Sequence, residues 1–125
     1  MRIALLGATG RTGGELMKQA PAAGHEVVAH VRRTEALGAH PSLTVVGSQL
    51  DDTATLTTAL VRGEAVAVTL GPKIREHSAA IMQTAIPAAI TSAKATRVNR
   101  VVVLCALGVG ETFANSSHPY RFGCR

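Results

Sequence analysis

Short, mostly apolar runs alternate along the chain with longer segments in which apolar residues recur every three or four positions. The runs occupy residues 3–6, 27–31, 43–46, 65–70 and 101–104. A continuous apolar run bounded by turn residues is typical of a strand buried on both faces of a sheet. We therefore predict five strands, with the first and the fifth buried.

The segments between these runs are predicted to form helices. The first spans residues 11–23, the second follows Asp52 as its N-cap, and the third spans residues 76–95. Pro87 falls inside the third segment and predicts a kink or a break there. The inward face of this third helix is predicted to carry Ile81, Ala85, Ala88, Ala89 and Ser92.

Strands that alternate with helices indicate an α/β fold with a doubly wound parallel sheet. Right-handed crossovers favour the Rossmann-like strand order 3-2-1-4-5. We predict one such domain over residues 1–112 and an irregular tail over residues 113–125. Either the tail is a frayed terminus, or the chain stops short of elements that a complete protein of this kind would have.

Composition narrows the classes of partner. The chain has 125 residues, 46% of them hydrophobic, and a net charge of +5, which together argue against disorder and favour an anionic partner. The sequence has no apolar run long enough to span a membrane and no signal-peptide pattern. Its two cysteines are far apart and form no disulfide framework, so we expect a cytoplasmic protein. The only aromatic residues are Phe113, Tyr120 and Phe122, which disfavours nucleic acid as the partner.

The most informative segment lies between the first strand and the first helix. Gly7 allows a sharp turn, Gly10 leaves room for a pyrophosphate, and Gly13 allows close packing of the helix on the sheet. The helix N-terminus then offers amide groups to phosphates, and Arg11 and Thr12 can add a charge and a hydroxyl. The alternative interpretation is a purely structural glycine-rich turn.

Two arginines follow the second strand, where a site for NAD would have an acidic residue. A guanidinium at Arg32 or Arg33 can bind a 2′-phosphate that a carboxylate would repel. We therefore predict NADP(H) in preference to NAD(H), with a solvated surface pair as the alternative.

Further cofactor contacts are predicted from position at the carboxyl ends of the later strands, with ordinary loop residues as the alternative. They are Ser48 and Gln49 after the third strand, Leu70 and Gly71 after the fourth, and Cys105 and Ala106 after the fifth.

The chain resembles the atypical short-chain dehydrogenase/reductase family, and more narrowly the NmrA-like NAD(P)H-binding proteins, which include flavin/biliverdin-IX-beta-type reductases. The resemblance rests on residues 7–13, 31–33, 70–72 and 101–110, and covers residues 1 to about 112. It implies that Thr9 joins the glycine turn at the cofactor phosphates, that Arg32 binds the 2′-phosphate, and that Leu70 and Gly71 line the middle of the cofactor.

The chain departs from the family pattern in ways that affect catalysis. Ser48 and Gln49 stand where relatives usually have Gly-Asp, and Ala106 stands where many have a serine. The Tyr-x-x-x-Lys pair is missing, because Tyr120 is followed four residues later by Cys124, and relatives continue for roughly half of this length again. No catalytic residue is assigned, and the five histidines show no metal-ligand spacing.

Two functions are expected from this resemblance. The first is an NADPH-dependent oxidoreductase that acts on a flavin, a quinone or a similar small-molecule acceptor. The alternative is a non-catalytic NADP(H) sensor of the NmrA type that acts through a protein partner. Homo-oligomer formation stays open.

Overall fold

The apolar runs form the five strands of one parallel sheet in a computed structural model, which describes residues 1–71 and 80–104. The strands are β1 (Arg2–Leu6), β2 (Glu26–Val31), β3 (Leu43–Gly47), β4 (Ala65–Val68) and β5 (Val101–Val103). Their order is β3-β2-β1-β4-β5, which confirms the predicted doubly wound topology. The carboxyl ends of all five strands therefore lie at one edge of the sheet.

Helices cover both faces of this sheet. They are α1 (Arg11–Ala22), α2 (Thr53–Leu60) and α3 (Ala80–Thr96), with a 3-10 turn at Thr34–Ala36. Successive side chains of a strand point to opposite faces, so Leu5 packs with the α1 core while Leu6 packs with the α2 and α3 core. This alternation produces two separate hydrophobic cores, one on each side of the sheet.

The predicted inward face of α3 is confirmed at Ala85, Ala88, Ala89 and Ser92, which are buried. Ile81 was predicted to share this face, but it is only half-buried and is not part of the core between α3 and the sheet. The helix continues through Pro87 to Thr96, so the predicted break there is wrong. A proline removes one amide hydrogen bond, but the packing of the alanine face against α2 and the sheet holds both halves in one helix. Residues 76–79 of the predicted segment lie outside the described residues.

The predicted burial of the fifth strand is wrong. Val101, Val102 and Leu104 are 37%, 59% and 47% exposed. The strand order puts β5 at the edge of the sheet, with β4 as its one neighbouring strand in the described part of the chain. An apolar run is buried on both faces only if other elements cover both, and the strand's own residues do not reveal this. The predicted domain boundary at residue 112 lies outside the described residues and stays a prediction.

Candidate cofactor site

The turn between β1 and α1 is built on backbone contacts that exclude a side chain. Gly7 has φ +94°, and a Cβ there would lie 2.9 Å from the backbone of Thr69 and Leu70. The Gly7 carbonyl accepts a hydrogen bond from the Gly10 amide at 3.0 Å. The Thr69 hydroxyl shares its one proton between the Leu6 carbonyl at 3.1 Å and the Gly7 carbonyl at 3.3 Å. Thr69, at the end of β4, thereby fixes the start of the turn.

The N-terminus of α1 is held close to this turn and has no side-chain cap. A Cβ at Gly13 would overlap the carbonyl group of Gly7, so the helix packs directly on the turn. The first intrahelical bond runs from the Gly14 amide to the Gly10 carbonyl at 2.8 Å. The amides of Arg11, Thr12 and Gly13 therefore have no acceptor within the helix, and no acidic residue lies in the first turn. Such a terminus attracts an anion.

Gly10 differs from the other two glycines of the turn. It has φ −82°, and a Cβ there would meet nothing closer than the Gly7 oxygen at 3.3 Å. Neither strain nor a severe clash inside the protein requires glycine at this position. Because Gly10 has no side chain, the helix terminus is open on its outer side. A pyrophosphate could therefore approach the backbone amides there.

Two adjoining cavities lie beside the turn at the carboxyl edge of the sheet. The smaller, of about 70 Å³, is lined by Gly7, Thr9, His30, Val31, Arg32, Leu50 and Leu70. The larger, of about 260 Å³, is lined by Arg32, Gln49, Leu50, Asp51, Ile81 and Thr84. Arg32 and Leu50 contribute to both, so the two cavities form one groove, which we call the Arg32 groove. Arg32 is exposed and makes no ion pair with any described carboxylate.

Ser48 contacts other residues of the protein and does not line the Arg32 groove. Its hydroxyl lies 2.7 Å from Nε2 of His30 and donates to the carbonyl of Gln49 at 3.2 Å. His30 is only 3% exposed, and burial lowers the pKa of its imidazole, against a smaller opposite effect from the Asp52 carboxylate. The neutral imidazole is therefore the favoured form in the folded protein.

Asp52 caps α2, as its position in the sequence predicts. Its Oδ1 accepts from the Thr55 amide at 3.0 Å, and its Oδ2 accepts from the Thr55 hydroxyl at 2.6 Å. The hydroxyl contact, followed by the amide contact, holds the pKa of Asp52 below its ordinary value. The loop from Ser48 to Asp52 is thus anchored at both ends.

The groove brings together part of the predicted site. Gly7, Thr9, Arg32 and Leu70 line one cavity, and Gln49 joins Arg32 in the other. Arg33 and Gly71 are exposed and line neither cavity, while Arg11 and Thr12 are exposed at the start of α1. Cys105 and Ala106 lie outside the described residues.

Three residues of the groove region are not among the predicted site residues. Thr69 supports the turn, His30 contacts the loop after β3, and Leu50 lines both cavities. A hydroxyl residue at the end of β4 and a polar residue in an otherwise apolar β2 were visible in the sequence. Their partners became apparent only once the strand order was known.

The described part of the chain offers few other candidate functional sites. Among residues 1–71 and 80–104, no group of three His, Cys, Asp or Glu side chains could hold a metal ion. Within the same residues, no helix combines the length and the apolar character that crossing a membrane requires. Two larger grooves, of about 390 and 440 Å³, lie at the opposite edge of the sheet around Met1 and Glu64, away from every predicted site residue.

The glycine turn, the uncapped helix and the groove at the carboxyl edge define the chain as a Rossmann protein of the dinucleotide-binding class. The model of the NAD(P)H-binding family matches residues 7–122, and the chain therefore belongs to that family. This match confirms the resemblance to atypical short-chain dehydrogenase/reductases. No curated protein sequence matches the chain.

Several solved structures share the fold. A protein from Burkholderia pseudomallei is 28% identical, with a TM-score of 0.75 over 94% of this chain and 56% of its own. The oxidoreductase ylbE from Lactococcus lactis is 17% identical, with a TM-score of 0.81 over 98% of this chain and 56% of its own. ChuY, an anaerobillin reductase from Escherichia coli O157:H7, is 20% identical, with a TM-score of 0.79 over 98% of this chain and 59% of its own. The chain thus spans little more than half the length of these relatives.

Proposed function

We propose that the chain binds NADP(H) across the carboxyl edge of its sheet and prefers it to NAD(H). The single observation that carries this proposal is the position of Arg32, exposed and without an ion pair in the described residues, in the groove beside the glycine turn. A guanidinium there can form a bidentate contact with a 2′-phosphate. The amides at the start of α1 would hold the pyrophosphate, with Gly10 giving it access to the backbone.

The experiment is a calorimetric titration of the chain with NADPH and with NADH. We expect NADPH to bind more tightly than NADH. We expect Arg32→Ala to lower the affinity for NADPH at least tenfold and to change the affinity for NADH little. Arg100→Ala is the matched control, because it removes the same charge from an exposed position at the opposite edge of the sheet. Equal losses in both variants, or equal affinity of the wild type for both nucleotides, would contradict the NADP(H) preference.

Gly10→Ala tests the pyrophosphate contact independently of the 2′-phosphate. The added Cβ meets only the Gly7 oxygen at 3.3 Å, so we expect a small effect on stability. The same Cβ would lie between a pyrophosphate and the helix terminus, and both nucleotides should bind less tightly. Unchanged binding of both would place the phosphates elsewhere.

The proposed activity is reduction of a flavin, a quinone or a similar conjugated acceptor. Bound NADPH would supply the hydride, and this chain's part would be to bind and orient the nicotinamide. Membership in the NAD(P)H-binding family supports this activity, as does the fold likeness to the oxidoreductase ylbE and to the reductase ChuY. NADPH oxidation, followed at its absorbance band across a panel of flavins and quinones, is the test.

The alternative is a non-catalytic NADP(H) sensor that acts through a protein partner. The observation that favours it is the apolar surface of β5, where Val102 and Leu104 are 59% and 47% exposed. Tight NADPH binding without oxidation by any acceptor of the panel would favour the sensor, and turnover would favour the enzyme. The acceptor, the partner and the cytoplasmic location stay predictions.

A further inference from the structure

His30 is a buried polar residue at the edge of the Arg32 groove. It is the next-to-last residue of β2, it is 3% exposed, and it lines the smaller cavity beside Arg32. Its register partners are Leu6 on β1 and Val46 on β3, which are both apolar. A polar side chain in such surroundings requires a hydrogen-bond partner.

That partner is the hydroxyl of Ser48, at 2.7 Å from Nε2. The same hydroxyl lies 3.2 Å from the carbonyl of Gln49. A hydroxyl has one proton, so when Ser48 donates it to Gln49, the imidazole is the donor in the contact between Nε2 and Ser48. The Gln49 carbonyl also accepts from the Asp52 amide at 3.2 Å, which extends the chain of hydrogen bonds to the start of α2.

This chain of hydrogen bonds passes beneath the loop that forms one wall of the groove. Gln49, Leu50 and Asp51 line the larger cavity together with Arg32. The backbone of Ser48 is attached to β2 by its amide, which donates to the Val31 carbonyl at 3.1 Å. The hydroxyl contact to His30 is the side-chain attachment of the loop to the same strand.

We propose that His30 is a positioning residue of the cofactor site, whose Nε2 contact with the Ser48 hydroxyl holds the Gln49–Asp51 wall of the groove beside Arg32, where an adenosine 2′-phosphate would bind. This inference rests on the proposed function. The charged group that acts on the imidazole is the Asp52 carboxylate at the α2 cap, and Arg32 lines the same small cavity as His30.

The test compares variants that remove the hydrogen bond with variants that keep it. His30→Leu removes the imidazole, and Ser48→Ala removes the hydroxyl. His30→Gln places an amide near the position of Nε2, and Ser48→Thr keeps the hydroxyl. Ser92→Ala is the control, because Ser92 is fully buried and its hydroxyl lies 3.1 Å from that of Thr57 between α2 and α3, away from the groove.

We expect His30→Leu and Ser48→Ala each to lower the affinity for NADPH about tenfold, which is the size of one lost buried hydrogen bond. Titration calorimetry measures this affinity. The double variant should lose no more than either single variant, and His30→Gln and Ser48→Thr should bind within about twofold of the wild type. Ser92→Ala should lower the unfolding midpoint without changing the affinity. A merely structural His30 would behave as Ser92 does.

The outcomes separate this inference from the proposed function. Normal NADPH affinity in folded His30→Leu and Ser48→Ala, or additive losses in the double variant, would overturn the positioning role and leave the proposed function intact. Failure of the wild-type chain to bind either nucleotide would overturn both.

Discussion

Two adjacent glycines at the start of α1 should respond in opposite ways to the same substitution. A Cβ at Gly13 would overlap the carbonyl of Gly7 and lie 2.9 Å from Cα of Ala8, and all these atoms belong to the backbone. A Cβ at Gly14 would meet nothing within 4 Å. Both positions belong to the helix, so both gain from the better helix propensity of alanine.

The magnitudes follow from these contacts. Alanine in place of glycine stabilises a helix by about 0.5–1 kcal/mol, and Gly14→Ala should show a gain of this size or somewhat less, because it lies in the first turns. Gly13→Ala has the same gain but must move α1 away from the turn, and overpacking typically costs about 1–3 kcal/mol. We expect the free energy of unfolding to fall by roughly 1–2 kcal/mol in Gly13→Ala.

Urea unfolding followed by circular dichroism measures both variants under the same conditions. The expected order of stability is Gly14→Ala, wild type, Gly13→Ala. Equal stability of the two variants, or a stabilised Gly13→Ala, would mean that α1 does not pack on the glycine turn as described.

Three further predictions concern the groove loop and the sheet edge. Asp52→Ala should lower the urea midpoint at pH 7 because α2 loses its cap. The difference from wild type should shrink as the pH falls below about 3.8, the ordinary carboxyl pKa, because the Asp52 carboxylate becomes protonated at its lowered pKa. Because burial lowers the pKa of His30, the stability that its neutral form contributes is complete above about pH 6.5, the ordinary imidazole pKa, and is lost as the pH falls further. Urea midpoints at several pH values should show this loss, and His30→Gln should flatten the profile. Val102→Lys should change stability by less than about 0.5 kcal/mol because the side chain is 59% exposed, and a large loss on urea unfolding would mean that β5 is covered.

The glycine turn and the strand order were predictable from the sequence because both depend on local patterns. Gly7, Gly10 and Gly13 occur between a predicted strand and a predicted helix, and right-handed crossovers leave few alternative topologies. The residue pattern alone does not distinguish the two arginines after β2, whereas the family resemblance implies Arg32. Only the path of the chain into the 3-10 turn separates Arg32, which lines the groove, from Arg33, which does not.

The remaining differences arise from tertiary contacts that no local pattern encodes. The predicted strand order already places β5 at one end of the sheet, but tertiary packing decides whether other elements cover its faces, and the packing of the alanine face keeps α3 continuous through Pro87. The contact between His30 and Ser48 joins residues 18 positions apart, one on β2 and the other directly after β3. A polar residue in an apolar strand indicates that a partner exists, without identifying it.

The most direct test of the cofactor site is to map NADPH binding on the backbone amides by two-dimensional NMR of the labelled chain. The account predicts shifts at the amides of Arg11, Thr12 and Gly13, at Arg32, and in the loop from Ser48 to Asp51. It predicts none around Glu64 and Arg97 at the opposite edge, where larger grooves lie. Shifts confined to that opposite edge, or a saturating titration that leaves the start of α1 unchanged, would contradict a dinucleotide site at the glycine turn.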